Sequence, residues 1–179
     1  MAFGKIIENL KINGKHVDYP VLNDRDARAA AGIMFVVAIF AFVTDLFQVT
    51  RLVINITVIL FTIEFLIRVF DPHFAPFYAL GRLIVSNQKP DWVGAIQKRF
   101  AWSLGLLMAT SMIVLSMIYG VRGAIPFTIC GICLTLLFFE ISFGICIGCK
   151  LYYGLMNVGV IKKPQSMPAC PGGVCEIPA

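Results

Sequence analysis

The sequence has few charged residues and almost no histidine. Only 14% of its 179 residues are charged and 59% are hydrophobic, whereas about a quarter of the residues in a soluble domain are charged. This composition excludes an ordinary soluble domain. The two histidines, His16 and His73, have no neighbour at metal-ligand spacing. The chain also lacks HExxH, GxSxG and GxxxxGK[ST], the signatures of zinc proteases, serine hydrolases and P-loop enzymes.

Four long apolar stretches predict transmembrane helices. A helix needs roughly 20 mostly apolar residues to cross the hydrocarbon core of a bilayer. The first stretch follows a mostly polar segment without a cleavage site, which indicates an anchor rather than a signal peptide. The predicted fold is therefore all-α, an integral membrane bundle of four helices. The predicted spans are residues 29–47, 52–70, 100–121 and 124–147.

Basic residues concentrate on one side of these spans. Thirteen of the 15 Lys and Arg residues precede the first span, lie between the second and third spans or at the adjoining end of the second, or follow the fourth. The two short turns contain one each, Arg51 and Arg122. The positive-inside rule then predicts a multi-pass protein of the bacterial cytoplasmic (inner) membrane with both termini in the cytoplasm. Contact with anionic lipid headgroups explains the formal charge of +5 without a nucleic-acid partner.

The predicted organisation has three parts. Residues 1–28 form a cytoplasmic N-terminal arm, 29–153 the four-helix transmembrane domain, and 154–179 a flexible cytoplasmic tail that contains cysteine. The connection between the second and third spans is long for a compact bundle. Within it, residues 76–85 predict a short amphipathic helix at the membrane interface.

The cysteines are the main candidates for chemistry. Two thiols separated by two residues share one helical face or one turn, which suits a reactive disulfide or a shared metal ion. On a continuous fourth helix, the first pair faces a different side from the second. The first pair suits packing, because free cysteine behaves as a small apolar residue. The three pairs are Cys130 and Cys133 in CGIC, Cys146 and Cys149 in CIGC, and Cys170 and Cys175 in CPGGVC.

Cys146 and Cys149 are the predicted redox or sulfur-handling residues. Lys150 beside them favours a thiolate, whereas a position at the C-terminal end of a helix disfavours one. In an alternative interpretation they bind zinc or another soft metal together with Cys170 and Cys175, a spacing that loosely resembles a zinc ribbon.

Glu140 is a further candidate for the site. It lies near the middle of the fourth span, where an ionisable side chain indicates a function. Its own helix offers no obvious partner, so three alternatives are open: it stays protonated, it bonds Asn55 or Ser111, or it pairs with Arg68 across the bundle. Its role is then either structural or proton transfer. Glu64 and Arg68 are four residues apart in the favourable order and predict a structural ion pair.

Four segments resemble a known family. They are PVLNDRDARAAAG before the first span, RVFDPHFAPFYALGRLI after the second, QKRFAW at the third, and FGICIGCKLYYGL at the end of the fourth. Over about residues 20–155 the chain is similar to a bacterial four-helix membrane family known chiefly as a domain of unknown function. The resemblance implies a thioredoxin-like or sulfur-carrier partner for Cys146 and Cys149. The CGIC pair and the CPGGVC tail lie outside the shared pattern.

Three functions are compatible with these features. The leading hypothesis is thiol-based exchange of electrons or sulfur between Cys146 and Cys149 and a cytoplasmic partner, with Cys170 and Cys175 as a relay. The second is binding or transport of a soft metal ion or a small sulfur anion. The third is a scaffold or accessory membrane subunit in which the cysteines only pack.

Overall fold

A computed structural model shows a bundle of membrane-spanning helices. It describes residues 6, 10–12, 15–17, 20–48 and 50–161. Four helices in these ranges are long and apolar enough to cross a membrane: α1 (Asp24–Leu46), α2 (Arg51–Phe70), α4 (Ala95–Met112) with a π-helical extension over Ile113–Ile118, and α5 (Ala124–Phe143). The predicted all-α membrane fold is confirmed. Two shorter helices are α3 (Pro76–Val85) and α6 (Ile147–Asn157).

Two short antiparallel ribbons accompany the helices, and the sequence analysis did not predict them. The first pairs β1 (Leu10–Ile12) with β2 (Lys15–Val17). The second pairs β3 (Val21–Asn23) with β4 (Trp92–Gly94). Because β3 leads directly into α1 and β4 into α4, the second ribbon holds the first turns of these two helices side by side.

The helices differ from the predicted spans mainly at their ends. α1 begins at Asp24 rather than at residue 29, because the side chain of Asn23 caps the helix by accepting the Arg25 N–H. α4 begins at Ala95 rather than at residue 100. At the other end, α5 stops at Phe143 and does not continue to residue 147. The first turns of α1 and α4 thus include charged residues that the sequence analysis assigned to the polar segments.

α1 is the central helix of the bundle and packs against α2, α3 and α5. Its contact with α3 is very close, because a Cβ atom on Gly81 would lie 2.5 Å from the backbone nitrogen of Ala30. α3 covers the segment for which a short helix was predicted, and its location at the membrane interface stays a prediction. Large apolar side chains on the outer faces, such as Phe40 and Leu60, are exposed and suit a lipid bilayer.

A buried ion pair within α2 also contacts the start of α3. Arg68 Nη2 lies 2.7 Å from Glu64 Oε1, and neither side chain is more than 2% exposed. Glu64 also accepts the backbone N–H groups of Phe77 and Tyr78, each at 2.9 Å. Ala75, the N-cap residue of α3, has no side chain that can cap the helix, so Glu64 caps α3 from the neighbouring helix. The predicted ion pair is confirmed, and it has this second role.

Aromatic rings surround the guanidinium of this pair. Arg68 Cζ lies 5.4 Å from the ring centroid of Tyr78 and 5.9 Å from those of Phe65 and Trp102, within the range of cation–π attraction. Burial, together with the nearby Asp26 carboxylate, raises the pKa of Tyr78. The Tyr78 hydroxyl therefore stays protonated at neutral pH.

Replacing Glu64 tests this buried pair. Glu64→Gln leaves the Arg68 charge buried without a counter-ion, so we expect a loss of about 3–5 kcal/mol of stability and a lower Tm in detergent. The double variant Glu64→Gln, Arg68→Met removes both charges and should recover part of that loss. A single variant as stable as the wild type would contradict this account.

Candidate functional site

The chain changes direction between α5 and α6. Gly144, which follows the last residue of α5, has a φ of 65° and so ends the helix in the left-handed conformation that glycine favours. α6 then begins at Ile147, with Cys146 as its N-cap residue. The prediction that Cys146 and Cys149 lie at the C-terminal end of a continuous fourth helix is therefore wrong. Both cysteines lie at the N-terminus of a new helix.

Cys146 and Cys149 form a disulfide across the first turn of α6. Their Cα atoms are 5.2 Å apart, and both residues are half-buried. The backbone N–H of Cys149 also donates to the Cys146 sulfur at 3.3 Å. Because the N-terminal end of a helix carries a partial positive charge, this position stabilises a thiolate. From the sequence, the helix end was expected to disfavour a thiolate at these cysteines. In the structure, the helix end favours one.

Gly148, between the two cysteines, lies where α6 touches α4. A Cβ atom on Gly148 would lie 2.6 Å from the Cβ and 2.8 Å from the Cα of Ala101. Next to this contact, the rings of Phe100 and Tyr152 pack with their centroids 5.3 Å apart. The absence of a side chain at Gly148 thus allows the first turn of α6 to rest directly on α4.

A chain of charged side chains connects the start of α1 and of α4 with the end of α5. Arg28 Nε lies 2.5 Å from Asp24 Oδ2. Lys98 Nζ lies 2.7 Å from Asp24 Oδ1 and 2.7 Å from Glu140 Oε1. The Arg28 guanidinium also covers Gly144, since its atoms lie 2.5–2.7 Å from the position of a Cβ there. We call Arg28, Asp24, Lys98 and Glu140 the α5 charge chain. It places the Arg28 cation against the carbonyl end of α5.

The partner of Glu140 differs from those considered in the sequence analysis. Asn55, Ser111 and Arg68 were the candidates, but Glu140 pairs with Lys98. The sequence pattern predicts that Lys98 lies in the loop before the third span, whereas Lys98 belongs to α4 and its side chain is only 4% exposed. Helical periodicity could have indicated that Lys98 is buried, because it places Lys98 on the inner face of α4. The buried residues of that face include Lys98, Trp102, Ala109 and Met112.

A cavity of about 320 Å³ lies between α1, α2, α4 and α5. Apolar side chains form most of its wall, and Arg68 and Glu140 are among its few polar residues. Cys130, Cys133 and Cys146 all line it, whereas Cys149 does not. The prediction that the two cysteine pairs face different sides is therefore wrong for Cys146, because the chain turns back after α5.

The predicted zinc ligands lie only partly within the described residues. Cys170 and Cys175 are outside them. In the part of the chain that the structure describes, no three His, Cys, Asp or Glu side chains come together at one point. Cys146 and Cys149 are bonded to each other there rather than arranged around a metal ion.

Comparison with known proteins assigns a family but no activity. Neither the curated proteins nor the solved structures include a match to the chain. Residues 22–157 match the family described as Domain of unknown function (DUF4395), a range that extends from β3 to the end of α6. This match confirms the resemblance seen in the sequence. The chain therefore belongs to the DUF4395 family.

Proposed function

We propose that this membrane protein exchanges electrons with a thioredoxin-like dithiol protein in the cytoplasm through Cys146 and Cys149. The observation that supports the proposal best is the position of this disulfide on the first turn of α6. Cys146 caps the helix, and its sulfur accepts the Cys149 N–H. A helix N-terminus is a position at which a thiolate is stabilised, both as a nucleophile and as a leaving group.

The two cysteines have different roles in this proposal. Cys146 lines the cavity between the helices, whereas Cys149 does not, and the next residue, Lys150, is exposed. A soluble partner therefore approaches Cys149. Cys146, whose thiolate the helix N-terminus stabilises, is the leaving group when the disulfide opens.

Each exchange moves two electrons. A thiolate of the partner attacks the Cys149 sulfur, the bond between Cys146 and Cys149 breaks, and Cys146 leaves as a thiolate. The second thiol of the partner, once deprotonated, then attacks the mixed disulfide and Cys149 leaves as a thiolate. The partner ends as a disulfide and Cys146 and Cys149 end reduced. The reverse sequence oxidises the pair, and the difference in reduction potential sets the direction.

Trapping the mixed disulfide tests these roles. In native membranes, Cys146→Ser should accumulate a reductant-sensitive adduct on Cys149. In the reverse sequence the Cys149 thiolate attacks the disulfide of the oxidised partner, and the Cys146 thiol that would then release the reduced partner is absent. Cys149→Ser should accumulate several times less. Non-reducing electrophoresis followed by mass spectrometry measures both adducts and identifies the attached partner.

Cys130→Ala and Cys133→Ala, added to Cys146→Ser, are the matched control and should leave the amount of adduct unchanged. Equal adducts in the two single variants would refute the assigned roles. The absence of adducts from both would support the scaffold interpretation, in which the cysteines only pack.

The contact between α6 and α4 provides a second test. Gly148→Ala forces the new Cβ into Ala101, so we expect a loss of about 1–3 kcal/mol, the usual range for overpacking, and faster reduction of the disulfide by a small thiol. Gly154→Ala is the control in the same helix, because no atom lies within 4 Å of its Cβ position. Tm and the kinetics of thiol labelling measure the two effects. If both variants behave alike, the close approach at Gly148 does not position the disulfide.

A further inference from the structure

Five sulfur-containing side chains line the cavity between α1, α2, α4 and α5. Only one of them, Cys146, belongs to the disulfide. Thiolate and thioether sulfurs are soft ligands, and in proteins they select soft ions such as Cu(I). The five residues are Cys130, Cys133, Cys146, Met108 and Met112.

Two of these sulfurs, on different helices, are separated by a distance that suits a shared ion. Cys133 Sγ on α5 lies 3.9 Å from Met108 Sδ on α4. With metal–sulfur bonds of about 2.3 Å, two ligands of a trigonal site stand roughly 4 Å apart. Cys130 lies one turn before Cys133 on the same face of α5 and lines the same cavity. Both cysteines are free thiols.

We propose that Cys130, Cys133 and Met108 bind one Cu(I) ion inside the membrane domain. Three sulfur ligands without a nitrogen or oxygen ligand suit Cu(I), whereas structural zinc is almost always four-coordinate. Among the described residues, no third His, Cys, Asp or Glu side chain joins Cys130 and Cys133. From the sequence, packing is the expected role of Cys130 and Cys133, and metal binding is expected of the other four cysteines.

Metal binding at this site competes with protons. Cys130 and Cys133 bind the ion as thiolates, so loading releases up to two protons. The apparent affinity for Cu(I) therefore rises as the pH rises. The site shares no ligand with the disulfide of α6, so it is independent of the proposed electron exchange.

The experiment uses the full chain, purified in detergent, with Cys146, Cys149, Cys170 and Cys175 changed to Ser. Anaerobic titration with Cu(I) against a chromophoric chelator should give one ion per chain. Changing Cys130 and Cys133 to Ala should abolish this binding.

Met108→Leu, which nearly conserves side-chain volume, should weaken binding by about tenfold or more, at least the loss caused by removing an outer-shell partner of a metal. Met117→Leu is the matched control: it lies in the π-helical extension of α4 and does not line the cavity, so it should have no effect. Met108→Leu keeps the proposal testable if the cysteine variants do not fold.

X-ray absorption at the copper edge identifies the ligands directly. The proposal predicts three sulfurs at about 2.3 Å, and two in the Met108→Leu variant. Cu(I) binding that survives loss of both cysteines would overturn the proposal. So would linear coordination by two sulfurs in the parent chain, or zinc bound as tightly as Cu(I).

Discussion

The α5 charge chain fixes the point at which the last membrane helix ends. It starts at Glu140, continues through Lys98, Asp24 and Arg28, and returns to α5 at Gly144. The side chains of Lys98 and Asp24 are buried, each 4% exposed, and buried charges are costly unless each has a partner, so these two residues hold each other in place. Because Glu140 lies in the last turn of α5 and Gly144 directly follows the helix, the Arg28 guanidinium stays against the carbonyl end of α5, where a cation is favourable.

The chemistry of the disulfide follows from that helix end. If α5 continued, Cys146 and Cys149 would lie at a C-terminal end, where the helix dipole opposes a thiolate. Because the chain restarts as α6, they lie at an N-terminus, and Cys146 turns toward the cavity that also contains Cys130 and Cys133. The close contact of Gly148 with Ala101 then holds this turn against α4. The location of this disulfide at a helix N-terminus thus depends on one break in one helix.

The spans and the Glu64–Arg68 pair were predictable, because apolar length and a spacing of four residues are local signals. The break in the chain between α5 and α6 was not predictable from the sequence. The break lies within the segment FGICIG, which is apolar and contains no proline. Its glycines give no signal, because glycine is common within membrane helices. Lys98 was missed because basic residues near span ends usually face water, and its partner Glu140 is 42 residues away. The β3–β4 pairing joins segments too short to show strand periodicity.

The most direct test is to trap the redox state of the cysteines in native membranes with a membrane-permeant and an impermeant thiol reagent, before and after an oxidant pulse. The wild type is compared with the double variant Cys146→Ser, Cys149→Ser. We expect Cys146 and Cys149 to change reversibly between disulfide and dithiol and to be labelled from the cytoplasmic side, while Cys130 and Cys133 do not change. If Cys146 and Cys149 stay in one state whatever oxidant or reductant is added, the disulfide is structural and the proposed electron exchange is wrong.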